Sequence, residues 1–239
     1  MDRATFLQTM CAASSLLPDG SITMPQLIAG VALPDTGLAN AATELARSSQ
    51  PDEIFRHSVR AFVFAELLAQ ADGIRHDVEA VYVACIMHDL GLMKRYASQT
   101  ERFEVDGANA ARTLLESFGI DGPRADLVWD AIALHDNGGI ARWKQPEVML
   151  VNAGVSADFG SRLEILRRND VTAVLQAAPR TNFVPVFLNV VAAIARQKPF
   201  ATGTCFVTDV AIKMVPNFHT INFVDDIQTD PFAQFEKYR

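Results

Sequence analysis

The chain has 239 residues, 49% hydrophobic and 21% charged, which supplies a sizeable core and excludes wholesale disorder. Its 21 basic and 28 acidic residues leave a net charge of −7, which argues against nucleic acid as the main partner because a phosphate backbone needs a basic face. No run of about 18 apolar residues occurs, so no membrane-spanning helix is expected; three widely spaced cysteines, Cys11, Cys85 and Cys205, form no disulfide framework and fit a reducing, cytoplasmic compartment.

Residues 1–48 mix short apolar runs with Gly and Pro ("LLPDGS", "ALPDTG") and read as a helical arm packed on the main domain. The first of them, "MDRATFLQTMCAASSLL", place an arginine ahead of an apolar run as export signals do. A twin arginine is absent and Gln8 interrupts the run, so an amphipathic helix is the better reading. Next, Ser49 is a candidate N-cap, with Pro51 in the first turn of "DEIFRHSVRAFVFAELLAQA". Phe55, Val59, Phe62, Val63 and Leu67 recur there at helical spacing, and Asp72-Gly73 ends the run. Asp77 caps a helix that closes on Gly91, a residue type favoured just past a helix end. Asp106 can cap "GANAARTLLESF", stopped by Gly119. Pro123 opens "RADLVWDAIALHD", stopped by Gly138-Gly139, and Pro146 opens "EVMLVNAGVSADFG". A last apolar helix, "NFVPVFLNVVAAIARQ", precedes Pro199. With no long strand alternation and no repeat, the expected class is all-α. Residues 49–165 form its core and 166–239 a helical C-terminal extension of the same domain. The apolar arm and late helices offer a face for a homo-oligomer.

Three of the five histidines stand at apolar helices beside a carboxylate or an arginine: His57 in "FRHSVRAF", His88 in "IMHDLG" and His135 in "IALHDNGG". Asp158 follows Val151 and Val155 at helical spacing, which sets a carboxylate on a core-facing stripe. Asp89, at the end of a helix apolar around much of its circumference, would cost several kcal/mol to bury unless something satisfies it. A cation does so, and the negative C-terminal end of a helix favours one. Imidazole nitrogen and carboxylate oxygen suit a borderline divalent ion: zinc, with iron and manganese as alternatives. One histidine on an apolar helix is more often a satisfied core group; three in matching contexts with Asp158 favour a metal. Arg60, three residues after His57, shares its face and either meets substrate or pairs with Asp89 or Glu104.

The order His57, His88-Asp89, Asp158 resembles the H…HD…D signature of the HD-domain superfamily of metal-dependent phosphohydrolases and relatives. "HSVRAFVF", "MHDLGL", "RFEVDGANAARTLL", "ALHDNGG" and "VSADFG" are most similar to its cyanamide hydratase-like branch, which adds water to a carbon–nitrogen triple bond. The resemblance implies an HD-domain helical bundle in which His57, His88, Asp89 and Asp158 ligate one metal. His135 would sit over the open position and move the proton, with the metal or Arg60 stabilising negative charge on the substrate. Two-metal HD enzymes carry another histidine in the segment where this chain has Phe103 and Glu104. That departure implies a mononuclear site, with Glu104 orienting a histidine and Asp136 or Glu104 setting the His135 tautomer. The expected partner is a small carbon–nitrogen substrate. The alternative is a phosphate ester or nucleotide received by Arg60, Lys94 and Arg95. A non-catalytic regulatory domain is the third class, and the intact ligand types argue against it.

Overall fold

The structure, a computed structural model, describes residues 25–197, 223–229 and 232. The expected N-terminal amphipathic helix, Cys11, Cys205 and His219 lie outside the described residues. A short antiparallel hairpin comes first, β1 (Leu27–Ile28) pairing with β2 (Val31–Ala32) in the register Leu27 to Ala32 and Ile28 to Val31. Its turn, Ala29-Gly30, has positive φ at both residues. The helices follow: α1 (Gly37–Ser49), α2 (Asp52–Asp72), α3 (Val78–Met87), α4 (Phe103–Ser117), α5 (Gly122–Ala133), α6 (Gly138–Ala141), α7 (Pro146–Asp158), α8 (Arg168–Ala177), α9 (Phe183–Gln197) and α10 (Phe223–Gln228). Short 3₁₀ turns, η1 (Leu90–Leu92) and η2 (Leu163–Ile165), sit between them. The all-α expectation holds, and the hairpin is its one small exception among the described residues.

A helix apolar on every side has to be central, and α3 is: every residue from Ala80 to Met87 is buried. Around it stand α1, α2, α4, α5 and α7. The most extensive of these pairings joins α2 to α7. Gly154 makes that pairing close, because a Cβ there would overlap the Ala61 carbonyl oxygen and come within 2.8 Å of the Ala65 methyl. The last turn of α7 is thereby pressed onto the first turns of α2, where the first histidine lies.

Local signals place most helix boundaries. Asp77 caps α3 by accepting from the Ala80 amide at 3.0 Å, and Gly73 ends α2 in the left-handed conformation at φ 65°. Four boundary expectations need correction. Ser49 ends α1 and pairs with the Tyr96 hydroxyl at 3.1 Å, while Pro51 occupies the N-cap position of α2. Asp106 lies inside the first turn of α4, where it accepts from the Ser98 amide at 2.9 Å; the helix begins three residues earlier, at Phe103. Gly91 is not a left-handed terminator: α3 stops at Met87, and Gly91 instead lets α4 approach, since a Cβ there would overlap the Phe103 carbonyl oxygen. Gly138-Gly139 open the short α6, α5 having ended at Ala133.

Buried side chains form a main cluster and a second one built from Ile54, Leu92, Phe183, Phe187, Ile194 and Ile227. The second joins the start of α2 and η1 to α9 and α10. No helix among the described residues is long and apolar enough to cross a membrane.

Candidate metal centre

His57 sits in the second turn of α2, and its ring meets Phe183 of α9 at 5.0 Å and Phe159 at 5.3 Å. His88 occupies the C-cap position of α3, with Asp89 next in the chain. The last carbonyls of a helix have no intrahelical donor, and His88 Nδ1 donates to one of them, Cys85 O, at 2.7 Å. His57 Nδ1 donates to Asp158 Oδ2, also at 2.7 Å. Each ring therefore carries its hydrogen on Nδ1 and turns the lone pair of Nε2 inward. The two Nε2 atoms lie 3.2 Å apart. Asp89 Oδ2 stands 3.2 Å from that of His88 and 3.8 Å from that of His57.

Three acceptors thus face one another, their donor atoms all within 4.8 Å, at residues no more than 2% exposed. Asp89 Oδ2 has no hydrogen-bond partner. Lone pairs do not converge in a low-dielectric interior without a positive charge to hold them. In the absence of an ion the charge is a proton. Burial lowers the pKa of His88, but the Asp89 carboxylate, joined by the Cys85 carbonyl and Asp158, more than offsets this and the net direction is up. For His57 burial outweighs the pull of Asp158, and the direction is down. Burial alone would raise Asp89, yet the charges of His88 and His57 hold it well below the usual carboxylate range. A divalent ion meets the same demand better, because it accepts all three lone pairs at once. The donor set of two nitrogens and one oxygen, with Nδ1 of each ring anchored to an acceptor, is how proteins prepare histidines for such ions.

Asp158 stands differently from the expectation that it joins the ligands. Its carboxylate lies on the Nδ1 edge of His57, away from the Nε2 cluster, and both oxygens are committed. Arg60 Nε donates to Oδ1 at 2.7 Å and Arg60 Nη2 to Oδ2 at 2.8 Å; Arg180 Nη1 adds a contact to Oδ2 at 2.9 Å. Arg60 is likewise consumed. Its Nη1 donates to Ala178 O at 3.1 Å and Pro179 O at 3.2 Å, and the side chain is fully buried. A guanidinium with its donors spent on Asp158 and backbone carbonyls does not face a substrate.

His135 is where a proton carrier would be useful. Its ring centroid lies 4.7 Å from that of His88, and Nδ1 donates to Ile132 O at 2.7 Å. The tautomer is therefore set by the Ile132 carbonyl at the end of α5, not by Asp136 or Glu104. Burial, then the charge of His88, brings its pKa down to about 4, so Nε2 is a neutral acceptor. Asn152 of α7 holds the loop by donating to His135 O at 2.7 Å. Arg102 ties Asp136 (3.0 Å) to Glu104, its closest ion-pair partner. Glu104 Oε2 remains buried without a partner; burial raises the pKa of Glu104 against the pull of Arg102.

The family follows from the match of residues 54–171 to the HD domain. Residues 54–171 are an HD domain. The matched span contains His57, His88, Asp89, His135 and Asp158 and ends before Arg180. Cyanamide hydratase DDI2 and cyanamide hydratase DDI3 of Saccharomyces cerevisiae are each 25% identical to it over 201 residues, covering 82% of this chain and 89% of theirs. The HD domain and these relatives make the protein a metal-dependent hydrolase or hydratase, and His57, His88 and Asp89 are the residues able to hold the metal. Sequence reasoning found those three and missed Arg102 and Arg180. Nothing in "APRTN" distinguishes Arg180 from a surface arginine. A cavity of about 260 Å³ between Arg95, Ser98 and Asp106 is lined by none of the HD-domain donors, so chemistry and not volume locates the site.

Proposed function

We propose that this HD domain binds one zinc-type divalent ion through His57 Nε2, His88 Nε2 and Asp89 Oδ2, and adds water to a small uncharged carbon–nitrogen substrate of the cyanamide or nitrile kind. The observation that carries the reading is the meeting of three buried acceptors whose rings are locked with Nε2 inward. The two yeast relatives, both cyanamide hydratases by name, supply the reaction class. When bound, the ion lowers the pKa of water toward neutrality and so makes a nucleophile available without a strong base.

The chain's own residues do the rest. His135, neutral and with Nδ1 fixed, receives a proton at Nε2 and returns it to the substrate nitrogen, the two-way duty suited to imidazole. Phe159, Phe183 and Phe187 cover His57 and keep bulk water off the donors. Arg60 and Asp158 act through His57, as positioning groups. A phosphate ester would need a cation facing it; Arg60 is spent on Asp158, while Lys94 and Arg95 are exposed past η1. Both comparison and geometry thus favour the uncharged substrate.

The test is urea formation from cyanamide by protein reconstituted with zinc, beside a panel of nitriles and phosphate esters. His88→Ala should lose both metal and activity. His135→Gln should keep the metal and lower kcat by roughly 10²–10⁴-fold, the usual contribution of a positioned proton carrier. Phosphate release with no urea from any nitrogen substrate would overturn the reading, and so would a His135→Gln variant that turns over at the wild-type rate.

A further inference from the structure

Asp158 has more counter-charge than it needs. Arg60 alone grips both carboxylate oxygens in a fork, an arrangement that already satisfies a buried carboxylate. Arg180 nevertheless enters from the segment between α8 and α9, beyond the matched residues 54–171. Its side chain is 6% exposed. One nitrogen, Nη1, reaches Asp158 twice, at the carboxylate Oδ2 (2.9 Å) and at the main-chain carbonyl (2.6 Å). The guanidinium lies 4.7 Å from the Phe183 ring centroid and 4.5 Å from that of Phe232. A second cation that grips the side chain and the backbone of one residue, itself held between two aromatic rings, adds placement and not merely charge.

What it places is the oxygen that orders His57. Asp158 Oδ2 accepts His57 Nδ1–H at 2.7 Å; a carboxylate free to swing on the last residue of α7 would release that hydrogen, and with it the orientation of Nε2. We propose that Arg180 is a positioning residue of the metal centre: by fixing Asp158 it keeps His57 turned with its Nε2 lone pair toward His88 and Asp89. The C-terminal extension then completes a site whose ligands all come from the HD domain. This rests on the metal reading above, and the experiment separates the two.

Cobalt serves as the probe, with affinity measured by competition against a chelator and coordination read from the visible absorption of the bound ion. Far-UV circular dichroism and thermal melting are followed in parallel. Arg180→Gln should keep its helical signal, bind cobalt roughly 10–100-fold more weakly, as loss of an outer partner of a ligand does, and show an altered visible spectrum. Arg180→Lys, which keeps one charge toward Asp158, should fall between the two in affinity. A folded Arg180→Gln with wild-type affinity and spectrum overturns the proposal. If Arg180→Gln fails to fold, Arg180→Lys decides alone: weakened affinity in a folded variant supports the proposal, and undiminished affinity overturns it. Wild-type protein that binds no cobalt overturns the metal reading itself, before any variant is compared.

Discussion

Asp158 is the residue on which most of the site's geometry turns, and its charge state can be read from stability. Burial pushes its carboxyl pKa up; the charges of Arg60 and Arg180 and the His57 hydrogen bond push it down, and the net direction is well below the usual range. A carboxylate depressed in the folded state contributes stability that is fully present above its unfolded pKa, about 3.9, and is lost as pH falls toward the folded value. Wild-type stability should therefore decline with acidification below about pH 5, since there the unfolded chain binds more protons. Asp158→Asn should cost about 3–5 kcal/mol at neutral pH, by leaving Arg60 and Arg180 buried without their counter-charge, and should show a shallower decline below about pH 5. Urea unfolding of both proteins across that range, at constant ionic strength, is the measurement; parallel curves would refute the assignment. The ligand residues were legible from short local patterns: His88 and Asp89 as a histidine at a helix end with a carboxylate beside it, and His57 as a histidine on an apolar helix beside an arginine. The partners of Asp158 were not. Arg60 meets it from 98 positions earlier in the chain, and only the packing of α2 on α7 decides whether Asp158 faces a metal or a guanidinium.

At the scale of elements, two glycines set the site where caps and stops do not. Gly154 lies one turn before Asp158 on α7, and Ala61, which it touches, lies one turn after His57 on α2. The closeness of that crossing thus becomes the 2.7 Å between Asp158 and His57. Adding a methyl forces the helices apart, and overpacking of this kind costs about 1–3 kcal/mol or more. Gly154→Ala should lower the melting temperature and weaken metal binding together. Gly139→Ala is the control: its Cβ would meet nothing closer than Asn137 Oδ1 at 3.6 Å, and both properties should stay near wild type. Equal behaviour of the two variants in melting and metal titration would dismiss the coupling. Helix existence was readable from apolar spacing and from Asp77, Gly73 and Pro146. The functions of Gly91 and Gly154 were not, because a glycine that permits close approach leaves the same mark in a sequence as one that ends a helix.

For the whole molecule, the question is whether the C-terminal extension is an appendage or part of one folding unit. Phe232, 1% exposed, stacks with Phe64 of α2 at 6.2 Å and lies against Arg180. Phe183 of α9 stacks on His57, and Arg60 of α2 bonds the Ala178 and Pro179 carbonyls between α8 and α9 of the extension. Core and extension thus share side chains at the metal centre, and neither can open without exposing the pairing of Asp158 with its arginines. We propose that residues 49–165 and 166–239 unfold together. A ligand that binds only the folded state stabilises it by about 4 kcal/mol when present at a thousand times its dissociation constant. In calorimetry the zinc-loaded protein should show one transition, with calorimetric and van't Hoff enthalpies equal, and chelation should move that single peak to lower temperature without splitting it. Two peaks, with only one of them shifted by the chelator, would show instead that the extension folds apart from the metal-binding core, and would leave Arg180 no means of transmitting its hold to His57.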